Sequence, residues 1–380
     1  MEQYVYRNHK KLRCGWTTGS CAAAAAGAAV QLLLTGEAPG IYDLMTPAGV
    51  LLHLPVEEAK CAGSTASCAV RKNGGDDIDV TDGLLVFAQA EKTDGEASAV
   101  EIAAGGGIGR VTKPGLDQPP GSPAINAVPK EMIRREVRRV CRENGCQSAI
   151  RITLSVPGGL QAAARTFNPR LGIEGGISII GTTGIVEPMS RQALLDTIRV
   201  ELQQRRACGQ RDLLIVPGRS GLAFMQEKYG IAPQESVLCS NFVGDTLDMA
   251  LDMGYQSVLL AGHIGKLVKL GAGIMNTHSH VADGRMETLA ACGVEAGAET
   301  KLLQRLFTFT TTEEAIDYLM DQGIWEPVFD RLLARIARQM DLRVRGEIKT
   351  AAILFCSRHG YLGRTEQAGA LLEKLKERQG

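Results

Sequence analysis

Apolar positions change their grammar twice along this chain, and each change marks an element boundary. Residues 20–36, SCAAAAAGAAVQLLLTG, form a nearly unbroken run of alanine and leucine. These residues have the best helix propensity, Thr18 or Ser20 supplies a capping hydroxyl, and Gly36 supplies a stop, so the run predicts one helix with a small-residue surface suited to close backbone packing. Short β-like runs follow at 41–45, 51–56, 67–71, 84–90 and 97–103, separated by Pro, Gly, Asn and Asp. The short turns between them predict an antiparallel or mixed sheet. After the connector KPGLDQPPGSP, Ile125, Val128, Met132, Val137 and Val140 recur at helical spacing, with Arg134, Arg138 and Arg142 on another, solvated face.

From about residue 150 the pattern becomes short continuous apolar strands, at 177–180, 213–216, 258–261 and 351–355. They alternate with helical stretches at 190–206, 221–229, 244–253, 285–292 and 325–340. Strands without polar alternation, spaced by helices, are the mark of a buried parallel sheet. The expected fold is therefore α/β and α+β in two domains: an N-terminal α+β domain with a mixed sheet, residues 1–156, and a larger C-terminal α/β domain with a mostly parallel sheet, residues 157–380.

A length of 380 residues agrees with two domains. Lysine plus arginine equal aspartate plus glutamate at 42 each, and aromatic residues make up 4% of the chain, so neither a field for polyanions nor a stacking platform for bases is present. Nucleic acid is excluded as the expected partner. Ten cysteines lie scattered without a CxxC pair, which points to reduced thiols and a cytoplasmic setting. Lys10, Lys11 and Arg13 before the alanine-rich run imitate a signal peptide, but the polar TTGS between charge and run and the interruption by Gln31 argue against one. Nothing else approaches the ~20 apolar residues of a membrane span. A homo-oligomer is compatible with this sequence.

In open α/β sheets ligands bind beyond the carboxyl ends of the strands. Three strands here run into glycine-rich loops: GTTGIVEP at 181–188, PGRSG at 217–221 and GHIGK at 262–266. Glycines there admit a ligand close to the backbone, and free amides favour anions. A shared crevice is the expectation, with Gly181, Thr182, Thr183, Gly184, Gly218, Gly262 and Gly265 on its wall. GHIGK lacks the spacing of a phosphate-binding P-loop, and GGGIGR near Gly105 lacks that of a dinucleotide site. Lys266 and Lys269 instead suit carboxylates of a ligand, or are ordinary solvated lysines.

In NTHSHVADGRMETL, His278 and His280 stand two apart, which on a strand directs both imidazoles to one face, with Asp283 nearby. Such a pair can ligate a metal, with His263 completing the set only if the two loops converge, and two histidines with a carboxylate are equally an ordinary satisfied polar cluster; a third ligand at the spacing of a known metal site is absent. VRKNGGDDIDVTDG reads as a hairpin around Asn-Gly, and Thr17, Thr18 and Ser20 as helix caps, with ligand contacts from Arg71, Lys72 and these hydroxyls as the second reading.

Six of these segments, taken in order, resemble one family. GWTTGSCAAAAAGAA, VRKNGGDDIDVTDG, GRVTKPGL with PAINAVP, TFNPRLGIEGGISIIGTTGIVEPMS, SNFVGD and GHIGKLVKLGAGIMNTHSHVADGRMETL look like the cobalt-precorrin-5B (C1)-methyltransferase family, from about Arg13 to Thr288. The resemblance implies methyl transfer from S-adenosylmethionine, a cosubstrate, to carbon C-1 of a cobalt-precorrin, giving cobalt-precorrin-6A. It implies that cobalt enters only as part of this tetrapyrrole substrate, without a metal of the protein's own. Thr17, Thr18, Ser20, Arg71, Lys72, His263 and Lys266 are then candidates for substrate contacts, and His278, His280 and Asp283 for the catalytic base. Two departures stand out: Gly106 where the family pattern has an acidic residue, and Arg219 with Ser220 where it more often has asparagine and a small, aromatic or histidine residue. The rival readings are a metal-dependent hydrolase built on His263, His278, His280 and Asp283, and a tetrapyrrole carrier without catalysis.

Overall fold

The computed structural model describes residues 3–7 and 9–378. The chain divides into two compact units, Met1–Arg191 and Gln192–Gly380.

The first unit is built on a six-stranded mixed sheet. Its strands lie in the order Ile41–Met45, Leu51–Ala62, Thr65–Arg71, Leu85–Thr93, Ala149–Ser155, Val100–Ala104. All neighbours are antiparallel except the last pair. Alternation decides which face is dry: Val86, Ala88 and Ala90 on one strand and Ile150, Ile152 and Leu154 on its neighbour are buried, while Arg151 between them bridges Glu91 and Glu101.

The dry face is covered by helix α1, Thr18–Thr35, and helix α2, Ala127–Glu143. Thr17 caps α1 by accepting the Ser20 amide, and Gly36 closes it in the left-handed conformation. α1 is long and apolar enough to cross a membrane, but 78% of it is buried within the fold, as in a central core helix. Its small residues are required by Tyr42, whose hydroxyl lies 1.9 Å from where a Cβ on Gly27 would sit. That hydroxyl donates to Glu136 and accepts from Arg139, both on α2.

Residues 157–191 belong with this first unit. The stretch around 177–180, expected as the opening strand of a parallel sheet, contributes the short pair Gly176–Ile177 with Gly107–Ile108 and a single bridge from Ile179 to Ile125. The cause is a glycine contact with no room for side chains: a Cβ on Gly107 would meet the Val156 carbonyl oxygen at 1.9 Å, and one on Gly176 would meet the Gly107 carbonyl oxygen at 2.2 Å.

The second unit has a five-stranded sheet in the order Ser236–Leu238, Asp212–Val216, Ser257–His263, Lys349–Cys356, Gly360–Arg364, parallel except for the last strand. Both faces are dry. Leu213, Ile215, Val258, Leu260, Ala352 and Leu354 face one helical layer, and Leu214, Val216, Leu259, Ala261, Ala351 and Ile353 face the other. Successive strands are added on opposite sides of Asp212–Val216, so the order reverses between it and Ser257–His263. This is the topological switch point, where adjacent connections leave in opposite directions and open a crevice.

Candidate active site

The loops that leave the two strands at the switch point meet. Pro217, Gly218, Ser220 and Gly221 from one, and Gly262, His263, Gly265 and Lys266 from the other, enclose a cavity of about 260 Å³. A second cavity of about 370 Å³ shares Gly265 and Lys266 with the first and is completed by Asn241, Lys269, Thr277, His278, Ser279 and Arg285. Each is near the lower end of the ~300–1,000 Å³ usual for small-molecule sites.

The glycines have distinct tasks. A Cβ on Gly262 would meet Leu267 at 2.3 Å and one on Gly221 would meet Val216 at 2.9 Å, so these two let the loops pack on the strands. Gly218 has extended backbone and nothing within 4 Å of its missing Cβ. It leaves open the space that a ligand would take.

His263 ends its strand and caps the short helix Ile264–Leu267, its Nδ1 accepting the Gly265 amide at 3.1 Å. A nitrogen that accepts carries no proton, so the neutral ring is protonated at Nε2. Nε2 stands 3.3 Å from Glu313 Oε1 and 3.3 Å from Ser357 Oγ, and Glu313 Oε1 also accepts the Ser357 amide at 2.9 Å. The imidazole is thereby held as a donor and a wall of the cavity rather than as a free base.

Lys266 donates to the Pro217 carbonyl at 3.0 Å. Burial, with the charge of Lys269 adding, lowers its pKa. Lys269 is 3% exposed and donates to the carbonyls of Thr277, at 3.2 Å, and Ala282, at 2.8 Å, fastening the 277–283 segment. That segment is a turn rather than a strand, yet it still brings the His278 and His280 rings to 4.9 Å. His278 Nδ1 accepts the His280 amide at 3.1 Å. Asp283 is gripped by Arg285 through contacts of 2.5 and 3.0 Å, which hold its carboxyl below the usual carboxylate range. Among the described residues no three His, Cys, Asp or Glu side chains gather as a metal site.

The remaining sequence candidates lie in the first unit. There the GTTG loop and the capping hydroxyls of α1 do meet: Ser20 Oγ donates to the Gly184 carbonyl at 2.7 Å, and Thr18 Oγ1 accepts the Ile180 amide at 2.9 Å. Thr17 packs where a Cβ on Gly181 would be, and the Thr183 carbonyl accepts the Ala48 amide. Thr182 is exposed. Arg71 forks onto Glu57 at 3.0 and 2.5 Å, and the buried Lys72 pairs with Asp79 at 2.6 Å.

Sequence reasoning did not single out Asn241, Thr277, Ser279, Arg285, Glu313 or Ser357. Asn241 and Arg285 lie inside the quoted segments and could have been found there. Glu313 could not, because it sits in the first turn of a helix whose capping box, Thr311 with Glu314, explains the local acids without any ligand.

A doubly wound α/β unit with glycine loops and lysines at its switch point belongs to the class of small-molecule-binding enzymes. The comparisons make it specific. Residues 5–188 match the family model CbiD, and residues 276–366 match CbiD, C-terminal domain. A cobalt-precorrin-5B C(1)-methyltransferase of Alkaliphilus metalliredigens is 43% identical over 99% of this chain and 98% of its own. Another, from Photorhabdus laumondii, is 40% identical over 98% of both. A crystal structure of the cobalamin biosynthesis protein cbiD from Archaeoglobus fulgidus matches at 28% identity and a TM-score of 0.40, covering 74% of this chain and 87% of that one. The chain belongs to the CbiD family of cobalt-precorrin-5B C(1)-methyltransferases, and is a methyltransferase.

Proposed function

We propose that this chain methylates carbon C-1 of cobalt-precorrin-5B with S-adenosylmethionine as the donor, releasing cobalt-precorrin-6A. The observation that carries the reading is the convergence of loops 217–221 and 262–266 at the switch point, in a chain whose near-full-length relatives bear that activity in their names. S-adenosylmethionine supplies a methyl group already activated as a sulfonium. The glycine-lined cavity suits it, since open space at Gly218 and backbone groups at Gly262 and Gly265 admit a donor close to the main chain.

The protein's share of the chemistry is then chiefly alignment. Holding donor methyl and acceptor carbon in line draws on the ~7–11 kcal/mol that well-oriented intramolecular reactions display. His263, fixed by Glu313 and the Gly265 amide, forms a rigid wall of the first cavity, and Lys266 stands between the two. The macrocycle loses a proton overall. His278 already accepts at Nδ1 and is left as an Nε2 donor, so we assign acceptance to His280 or the ionised Asp283. Cobalt belongs to the substrate.

The test is anaerobic incubation of the purified protein with cobalt-precorrin-5B and methyl-labelled S-adenosylmethionine. One labelled methyl on the macrocycle, absent without protein, is the expected result. Tight tetrapyrrole binding without transfer overturns the reading and identifies a carrier.

A further inference from the structure

The second cavity differs from the first in charge. Its wall holds Lys266, Lys269 and Arg285 beside the hydrogen-bonding side chains of Asn241, Thr277, His278 and Ser279. Asp283 answers Arg285, but neither lysine has a carboxylate within ion-pairing distance among the described residues. Their ammonium groups touch only main-chain carbonyls: Pro217 for Lys266, Thr277 and Ala282 for Lys269.

An ammonium has three donors, so Lys266 keeps two uncommitted and Lys269 one. Two cations brought together in a partly buried wall, with Asp283 held by Arg285 and acting on Lys269 only from beyond contact, are costly in themselves, and an anion between them removes that cost. Asn241 is prepared for the same guest. Its Oδ1 is taken by the Thr277 hydroxyl at 3.1 Å, which leaves its amide NH₂ as a donor. The segment 277–283, whose first residues line this open cavity, is tied by Lys269 itself, so the charge and the wall come as one piece.

Resting on the methyltransferase reading above, we propose that this second cavity is a carboxylate subsite: it seats one peripheral carboxylate of the tetrapyrrole between Lys266 and Lys269, fixing the rotational setting of the macrocycle beside the glycine-lined cavity. The same chemistry has a second source, the aminoacyl carboxylate of the methyl donor, and the experiment separates them.

Calorimetric titration of the full chain with uroporphyrin, an octacarboxylate tetrapyrrole, and separately with S-adenosylmethionine, is compared for the native protein, Lys266→Met and Lys266→Arg. Loss of one charge-assisted contact weakens uroporphyrin binding about tenfold in Lys266→Met, with substantial recovery in Lys266→Arg and a clearly smaller effect on S-adenosylmethionine, whose cavity Lys266 only borders. Circular dichroism melts establish that both variants are folded; should Lys266→Met fail to fold, Asn241→Ala takes its place with the same expectation of direction. Weakening confined to S-adenosylmethionine, affinity unchanged for both ligands, or no uroporphyrin binding by the native protein overturns the subsite. If instead uroporphyrin binding depends on Lys266 but no methyl is transferred to cobalt-precorrin-5B, the subsite stands and the methyltransferase reading falls.

Discussion

The carboxylate of Glu313 lies 3.3 Å from Nε2 of His263, although fifty positions separate them in the chain. The same oxygen receives the Ser357 amide, so one acid joins the ends of two neighbouring parallel strands to the start of the helix Thr312–Asp321.

This contact has a pH signature. Burial raises the Glu313 pKa, but the Ser357 amide and His263 outweigh it, and the group is held below its ordinary value of 4.5. The folded state therefore favours the ionised form. That stabilisation is fully present above pH 4.5 and is lost as the pH falls through the lower folded value. Glu313→Gln is expected to cost about 1 kcal/mol at pH 7, and the difference in melting temperature from the native protein to narrow as the pH is taken below 4.5. A gap that is constant with pH disproves the electrostatic origin.

Gly218 separates fold from ligand. Its backbone is extended and a Cβ there meets nothing within 4 Å, so Gly218→Val is expected to cost the fold under about 1 kcal/mol, mostly as a poorer cap of the helix Arg219–Tyr229. The valine fills the glycine-lined cavity instead. Binding of S-adenosylmethionine, followed by equilibrium dialysis, should fall at least about tenfold, since ~1.4 kcal/mol suffices for that.

Gly27 tests the packing of α1. Propensity alone makes Gly27→Ala stabilising by about 1 kcal/mol. The added methyl, however, meets the Tyr42 ring and hydroxyl at 1.9 to 2.8 Å and displaces a group bonded to Glu136 and Arg139. We expect a net loss of about 2–4 kcal/mol in urea unfolding, because overpacking and broken buried hydrogen bonds add.

Asn73–Gly75, expected as the turn of a hairpin, is instead a strand paired with Lys10–Trp16, and beside it Lys72 and Asp79 form a buried ion pair, with side chains 2% and 19% exposed. Burial raises the Asp79 pKa, but the Lys72 charge and the Thr81 donors outweigh it and leave it below 3.8. Asp79→Asn strands the lysine and should cost about 3–5 kcal/mol at neutral pH. The cost should shrink as the pH falls from 3.8 toward the lower pKa of the folded aspartate, because the unfolded chain takes up a proton there that the folded aspartate resists. Chemical denaturation at pH 7 and pH 3 measures both.

Much of this architecture was legible beforehand for a simple reason: its strongest signals are local. The alanine run became α1 with the stop at Gly36, and the apolar runs near 213, 258 and 351 became the central strands of the second unit. The stretch 177–180 misled because a short apolar run carries no information on its partners. Glycine-to-glycine contact with Gly107 claimed it for the first unit. His278 and His280 are neighbours on a turn rather than on a strand, since Lys269 ties that segment by binding its carbonyls.

By itself the sequence determined the class of the two units, the family to which the chain belongs and the glycine loops that follow its strands, because periodicity, propensity and long ordered motifs are written in neighbouring residues. Only the tertiary structure decided which loops share a cavity, which lysines are left without a carboxylate, and that Glu313 holds His263. These are meetings of residues far apart in the chain. They depend on strand order and packing, which no local pattern encodes.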